Sequence, residues 1–214
     1  DNMKGDRNIV AAAVTKNGLA LQHASPELRN DVGVVFTAIE QDPSALQYAS
    51  DNMKGDRNIV GAAVVQNVSA LQYASIELKN NRDWMLSIVK ENGLALKYAS
   101  DELKNNQFIV LNAVVQDPSA LQYASDKMRR DKNVVLAAVM QNVSALKYAF
   151  QDMKNEEVVM LAAVTQDVSI LEDASEKMKE NAVVVRAAVK KDGSALKYAS
   201  TTLQNNKAVV LAAV

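Results

Sequence analysis

The sequence repeats itself every 25 residues, through eight complete copies and a partial ninth, without an insertion or deletion. A fixed period of this size is typical of solenoid proteins, in which each repeat buries its apolar face only by stacking on its neighbours. We therefore predict an all-α, solenoid-like array over residues 1–214. Its repeats are 1–25, 26–50, 51–75, 76–100, 101–125, 126–150, 151–175 and 176–200, followed by the partial repeat 201–214.

The first helix of each repeat is visible in residues 101–125. Asn106 lies at a site that is Asp, Asn or Glu in every copy. This indicates an N-cap, because a short side-chain oxygen accepts a hydrogen bond from a free backbone amide of the first turn. Apolar residues then follow at i, i+1, i+4 and i+5, which predicts a helix of about 10 residues. It ends at a turn pair, and where that pair is Asn67-Val68 or Asn142-Val143 we expect a left-handed cap at the asparagine.

A second helix of about 7 residues should follow in each repeat, since apolar side chains recur there at helical spacing. In the repeat at 101–125 its inward residues are Ala120, Leu121 and Ala124, and Ser125 then caps a third, single turn. Apolar anchors of this turn are Met3, Leu28, Met53, Leu78, Leu103, Met128, Met153, Met178 and Leu203. Residues that tolerate a positive φ should close it: Gly5, Asn30, Gly55, Asn80, Asn105, Asn155 and Asn205.

Two short motifs link the chain to a known group of repeats. LQYAS occurs at 46–50, 71–75 and 121–125, and VVLAAV at 134–139 and 209–214. The chain resembles a domain-of-unknown-function family of tandem LQYAS-type repeats found in bacterial effector-like proteins, protists and large DNA viruses. That resemblance implies a helical repeat fold and carries no catalytic residues. The helix lengths are also similar to those of leucine-rich variant repeats, which implies a right-handed α-solenoid.

Composition and motifs give no sign of an active site or a cofactor. Lys and Arg number 24 against 25 Asp and Glu, cysteine is absent, and His23 is the one histidine. A metal site needs several ligands and an activated serine needs a base, and neither grouping is present in the sequence. We therefore expect no enzyme activity, no metal and no cofactor. We also expect no membrane span, because no apolar run reaches about 18 residues.

Two residue types recur once per repeat and could contact single-stranded nucleic acid. The tyrosines are Tyr48, Tyr73, Tyr98, Tyr123, Tyr148 and Tyr198, and the cations are Lys4, Arg29, Lys54, Lys79, Lys104, Arg129, Lys154 and Lys179. Base stacking and phosphate contact would use such ladders. We favour a structural role, with each ring along a seam between repeats, because nucleic-acid binders are net basic and this chain carries a net charge of −1.

Residues that break the repeat are better candidates for partner binding. Four large aromatic residues stand at sites that are small, aliphatic or polar in other copies: Trp84, Phe108, Phe36 and Phe150. Aromatic side chains are enriched at protein interfaces. The outer helix sites Thr15, Glu40, Val65, Lys90, Val115, Met140, Thr165 and Lys190 also vary in character. We predict a non-enzymatic scaffold for protein or peptide binding or structural assembly, with single-stranded nucleic-acid binding as the alternative.

The two ends of the chain keep the apolar pattern of an interior repeat. The first repeat has Ile9, Val10, Val14 and Leu21, and the last segment has Leu203, Val209, Val210 and Val214. Because a terminal repeat without polar substitutions exposes the face meant for its neighbour, we expect end-to-end self-association or docking to flanking sequence. Without an initiator Met, the chain is expected to be a segment of a longer protein, cytoplasmic or secreted.

Overall fold

A computed structural model describes residues 2–214. Every regular element among these residues is an α- or 3₁₀-helix, so the predicted all-α repeat fold is confirmed. The chain forms two compact parts, an N-terminal half up to Leu103 and a C-terminal half from Lys104 to Val214. Each 25-residue repeat contributes three helices: a long α-helix, a second helix that follows it, and a short third helix.

The long helices are α-helices, and we label them α1 to α9. In the N-terminal half they are α1 (Arg7–Lys16), α2 (Val32–Gln41), α3 (Arg57–Gln66) and α4 (Arg82–Glu91). In the C-terminal half they are α5 (Gln107–Gln116), α6 (Lys132–Gln141), α7 (Glu157–Gln166), α8 (Ala182–Lys191) and α9 (Lys207–Ala213). The first eight have 10 residues each, as the spacing of apolar residues predicts.

The other two helices of each repeat are shorter. The second helices are all 3₁₀: Gly18–His23, Pro43–Tyr48, Val68–Tyr73, Gly93–Tyr98, Pro118–Tyr123, Val143–Tyr148, Val168–Leu171 and Gly193–Tyr198. The third helices are a mixture of α and 3₁₀: Asn2–Gly5, Leu28–Asn30, Asp51–Gly55, Ile76–Lys79, Asp101–Lys104, Met128–Arg130, Gln151–Asn155, Glu176–Lys179 and Thr201–Gln204.

One polar residue ends each long helix and begins the 3₁₀-helix that follows. Asn67 has φ −151° and ψ 111°, an extended conformation, and its side chain accepts a hydrogen bond from the Ser69 amide at 2.9 Å. The left-handed cap predicted at Asn67 and Asn142 is therefore wrong, because an extended residue ends one helix and caps the next. Residues 2–214 contain no positive φ, so the glycines and asparagines that close the third turn do not use the left-handed conformation that they tolerate.

The inward positions of the helices form a continuous apolar layer within each half. In α5 the side chains of Ile109, Val110, Ala113 and Val114 are fully buried, as predicted, and Leu121 of the next 3₁₀-helix is also buried. Burying a valine, leucine or isoleucine side chain contributes about 1.5–3 kcal/mol to the free energy of unfolding. The third-turn anchors are buried from Leu28 to Leu203.

Hydrogen bonds join successive third helices and fix the distance between repeats. The Ser50 amide donates to the Arg29 carbonyl at 2.9 Å, and the Ser50 hydroxyl donates to Asn30 Oδ1 at 2.6 Å. Where glycine replaces that asparagine, as at Gly55, the Ser75 hydroxyl bonds Glu77 instead. The Glu77 backbone amide and this hydroxyl together lower the pKa of the Glu77 carboxyl.

Apolar exposure near the two ends is smaller than the sequence indicates. Of the residues predicted to be open, Val10, Val14 and Leu21 are buried in the first repeat, and Leu203 and Val209 are buried in the last segment. The long helices of the adjacent repeats pack against these segments, since α1 contacts α2 and α9 contacts α8. Val210 is half-buried, and of the predicted residues only Ile9 (46%) and Val214 (100%) are exposed. Two other apolar residues near the ends, Met3 (69%) and Leu211 (63%), are exposed as well.

Candidate interaction surface

The outward face of each long helix follows from its inward face. Residues at i, i+1, i+4 and i+5 point to the core, so the row that starts one position earlier, at i−1, i+2, i+3 and i+6, points away from it. In α5 this outward row consists of Phe108, Leu111, Asn112 and Val115, none of which is buried. Phe108 and Val115 are exposed and Leu111 and Asn112 are half-buried, so a partner can reach this row.

In the C-terminal half the outward rows of three neighbouring helices are mainly apolar, with Asn112, Asn133 and Thr165 as their polar members. The helix α5 packs beside α6, and α6 packs beside α7. Their outward rows contain no charged residue. We define the outer apolar patch by its members Phe108, Leu111, Val115, Leu136, Met140, Val158 and Leu161. Met140 is 65% exposed and Val115 56%, and a shallow groove of about 430 Å³ lies between α6 and α7.

The same face of the N-terminal half is largely polar or small. Its outward rows include Asn8, Thr15, Glu40, Asn58, Asp83 and Lys90. The larger apolar members, Phe36, Val65 and Leu86, lie on three different helices with polar or small residues around them. On α8, which packs beside α7, the outward Arg186 and Lys190 form a basic border to the patch. Contiguous exposed apolar surface is uncommon on soluble proteins and marks interaction sites.

The four off-pattern aromatic residues have different environments. Trp84 is 9% exposed because its site in α4 faces the core, where other repeats have Ile or Val, so it does not contribute to a surface. Phe36 on α2 is 40% exposed, and Phe108 on α5 is 49% exposed and belongs to the outer apolar patch. Phe150 is half-buried, and its ring lies 3.6 Å from the guanidinium carbon of Arg130.

Several members of the tyrosine and lysine ladders already make contacts within the fold. All six tyrosines are half-buried, and the Lys97, Lys147 and Lys197 ammonium groups lie 4.6–5.3 Å from the ring centre of the next residue. Lys79 donates to the Gln72 carbonyl at 2.7 Å, and burial lowers its pKa. Arg29 donates to the Ala24 carbonyl at 3.0 Å. These cations thus satisfy the carbonyl ends of the preceding 3₁₀-helices.

Among the residues that it describes, the structure does not bring His23 together with other side chains that could bind a metal. The His23 side chain is exposed, and residues 2–214 contain no group of three His, Asp or Glu side chains arranged to hold a metal ion. None of the helices in this range is long and apolar enough to cross a membrane.

The leucines of the outer apolar patch are not recognisable as surface residues from the apolar spacing alone. One position holds leucine in four successive repeats, at Leu86, Leu111, Leu136 and Leu161, and an aliphatic residue in a helix is usually assigned to the core. A comparison of that position across repeats would have found them, because it is Ala, Phe and Gly in the first three copies.

Comparison with known proteins identifies the repeat. The family model for a domain of unknown function, DUF4116, matches residues 6–54, 31–79, 56–104, 81–129, 106–154, 131–179 and 184–214. The first six matches advance in steps of 25 residues, which confirms the tandem repeat and the resemblance based on LQYAS. No curated protein and no solved structure matches the chain. The chain belongs to the DUF4116 family.

Proposed function

We propose that this member of the DUF4116 family is a non-enzymatic scaffold whose outer apolar patch binds an amphipathic segment of a partner protein. The observation that carries the proposal is the uncharged outward face of α5, α6 and α7, set against the polar face of the N-terminal half. Outward rows elsewhere in the chain carry charge, as at Glu40, Asp83 and Arg186, or small and polar residues, and exposed apolar surface that is contiguous is typical of interaction sites.

The chemistry of the patch and its border defines the partner. Aliphatic and aromatic side chains in the outer apolar patch favour an apolar stripe, such as one face of a helix. The exposed cations Arg186 and Lys190 on α8 favour acidic residues beside that stripe. The partner segment is therefore amphipathic, with an apolar stripe and acidic residues at one edge.

Nucleic-acid binding is the weaker alternative. The tyrosine rings are half-buried, and the ladder cations Lys79 and Arg29 already bind carbonyl groups. A chain with a net charge of −1 also gains little from counterion release. Electrophoretic mobility shifts with single-stranded RNA at low salt should show no retardation.

Selection of peptides from a surface-displayed library of amphipathic helices tests the proposal. Peptides that bind the 214-residue chain should be acidic at one edge, and Met140→Glu should weaken their binding roughly tenfold or more because it places a charge in the patch. Val65→Glu is the matched control, since Val65 occupies the equivalent position of α3 and is 87% exposed. Equal binding to both variants, or salt-sensitive RNA binding without peptide binding, would contradict the proposal.

A further inference from the structure

A second candidate site lies between two 3₁₀-helices of the C-terminal half, away from the outer apolar patch. It is a pocket of about 210 Å³ between Val143–Tyr148 and Val168–Leu171. Its apolar lining includes Leu146, Met160 and Ile170, of which the first two are buried. An engineered apolar cavity of about 150 Å³ is large enough to bind benzene, so this pocket has room for one aromatic ring and a short substituent.

The pocket coincides with a departure from the repeat. Asp173 lines it, at the position that is tyrosine in six of the other seven complete repeats. Those six rings are half-buried, whereas Asp173 is exposed. The 3₁₀-helix that precedes Asp173 also stops early, at Leu171, where its counterparts continue through the tyrosine or its equivalent, His23. Ile170 also stands where the other seven complete repeats have alanine, so the lining of the pocket departs from the repeat at two positions.

Charged groups surround the opening. Lys147, Lys154 and Asp173 line the pocket, which gives its rim a net charge of +1. The Lys147 ammonium lies 4.8 Å from the ring centre of Tyr148. Across residues 2–214 no hydrogen bond or ion pair reaches the Lys154 ammonium. An apolar floor beneath a rim with one excess positive charge matches a ligand with an apolar ring and an anionic group.

We propose that this pocket, which we call the Asp173 pocket, binds a small aromatic carboxylate. The ring replaces the absent tyrosine against Leu146, Met160 and Ile170, and the carboxylate pairs with Lys154. This site is independent of the outer apolar patch, because the two share no residue.

Isothermal titration calorimetry of the 214-residue chain with 3-phenylpropanoate tests the proposal. We expect one site per chain with a Kd of about 1 mM, which corresponds to about −4 kcal/mol and suits a ligand of this size. Asp173→Tyr restores the residue used by other repeats and should fill the pocket, so binding should weaken at least tenfold while the helical circular dichroism signal is kept. Absence of binding to the unmodified chain, or equal binding to Asp173→Tyr, would overturn the proposal.

Two further arms separate the ring from the charge. The neutral 3-phenylpropanamide should bind more weakly than the carboxylate, and Lys154→Met should remove that difference without changing the fold. Unchanged preference in Lys154→Met would contradict the assigned ion pair. An acetylated dipeptide ending in phenylalanine offers the same ring and carboxylate from a polypeptide. Binding of that dipeptide without binding of the free acid would overturn the assignment to a small molecule.

Discussion

Single residues determine how closely adjacent repeats approach. At Gly18, the first residue of a 3₁₀-helix, a Cβ atom would lie 2.2 Å from the carbonyl oxygen of Ala38 in α2. That carbonyl accepts the hydrogen bond of the Asp42 amide, which ends the helix. Gly61, inside α3, has no neighbouring atom within 4 Å of its Cβ position. The two glycines thus differ in packing although neither has a positive φ.

This difference predicts opposite effects of the same substitution. Gly18→Ala should lower the free energy of unfolding by about 1–3 kcal/mol, because the added methyl group overpacks a close contact. Gly61→Ala should raise it by up to about 1 kcal/mol, because alanine has the higher helix propensity. Urea unfolding followed by circular dichroism measures both. A stabilising Gly18→Ala would contradict this prediction and would show that α2 shifts to make room for the methyl group. Other repeats have valine or proline at that site, so their neighbouring long helices already leave room for a side chain.

At the scale of elements, the residue that caps each 3₁₀-helix is an aspartate in some repeats, and its carboxyl group can titrate. Asp167 accepts hydrogen bonds from the Ser169 hydroxyl at 2.7 Å and the Ser169 amide at 2.9 Å, and both lower the pKa of its carboxyl. Asp192 has a lowered pKa for the same reason, through Ser194. In the repeats with Asn17 or Asn67, a neutral side chain forms the same cap.

These caps should make stability depend on pH in the acid range. A carboxyl whose pKa is lower in the folded state stabilises the fold above the ordinary Asp pKa of about 3.9, and this contribution is lost as the pH falls through the folded value. The double variant Asp167→Asn and Asp192→Asn should lose less stability than the parent chain between pH 5 and pH 3. Urea midpoints at these values measure the loss. An equal loss in both chains would show that the two caps do not contribute.

The sequence predicts some elements better than others. The long helices and their inward residues, such as Ile109 and Val114, follow from apolar spacing because burial fixes that face. The extended conformation of Asn67 is not predictable in this way, because asparagine is common both in left-handed caps and in N-caps. The outer apolar patch was missed because Leu136 has the same residue type on an outward face as in a core. The Asp173 pocket depends on side-chain volume between repeats, which periodicity does not report.

At the scale of the whole molecule, apolar residues near both chain ends predict self-association of the 214-residue polypeptide studied alone. Met3 is 69% exposed although the equivalent anchors from Leu28 to Leu203 are buried, and Leu211 is 63% exposed. Multi-angle light scattering should show a mass that rises with concentration, and Met3→Lys combined with Leu211→Lys should reduce the rise. Met140→Glu is the control for contacts made through the outer apolar patch. A constant monomer mass at high concentration would contradict the prediction.

Binding through the outer apolar patch is the central claim about the molecule, and methyl NMR tests it most directly. The chain carries reporters in the patch at Val115, Leu136 and Met140, and outside it at Val65 on the equivalent face of the N-terminal half. On titration with a selected amphipathic peptide, the largest methyl shift changes should occur at the patch reporters, and Val65 should remain unchanged. Changes centred on Val65 or on the methyl groups beside the tyrosine ladder, with the patch unaffected, would contradict the account.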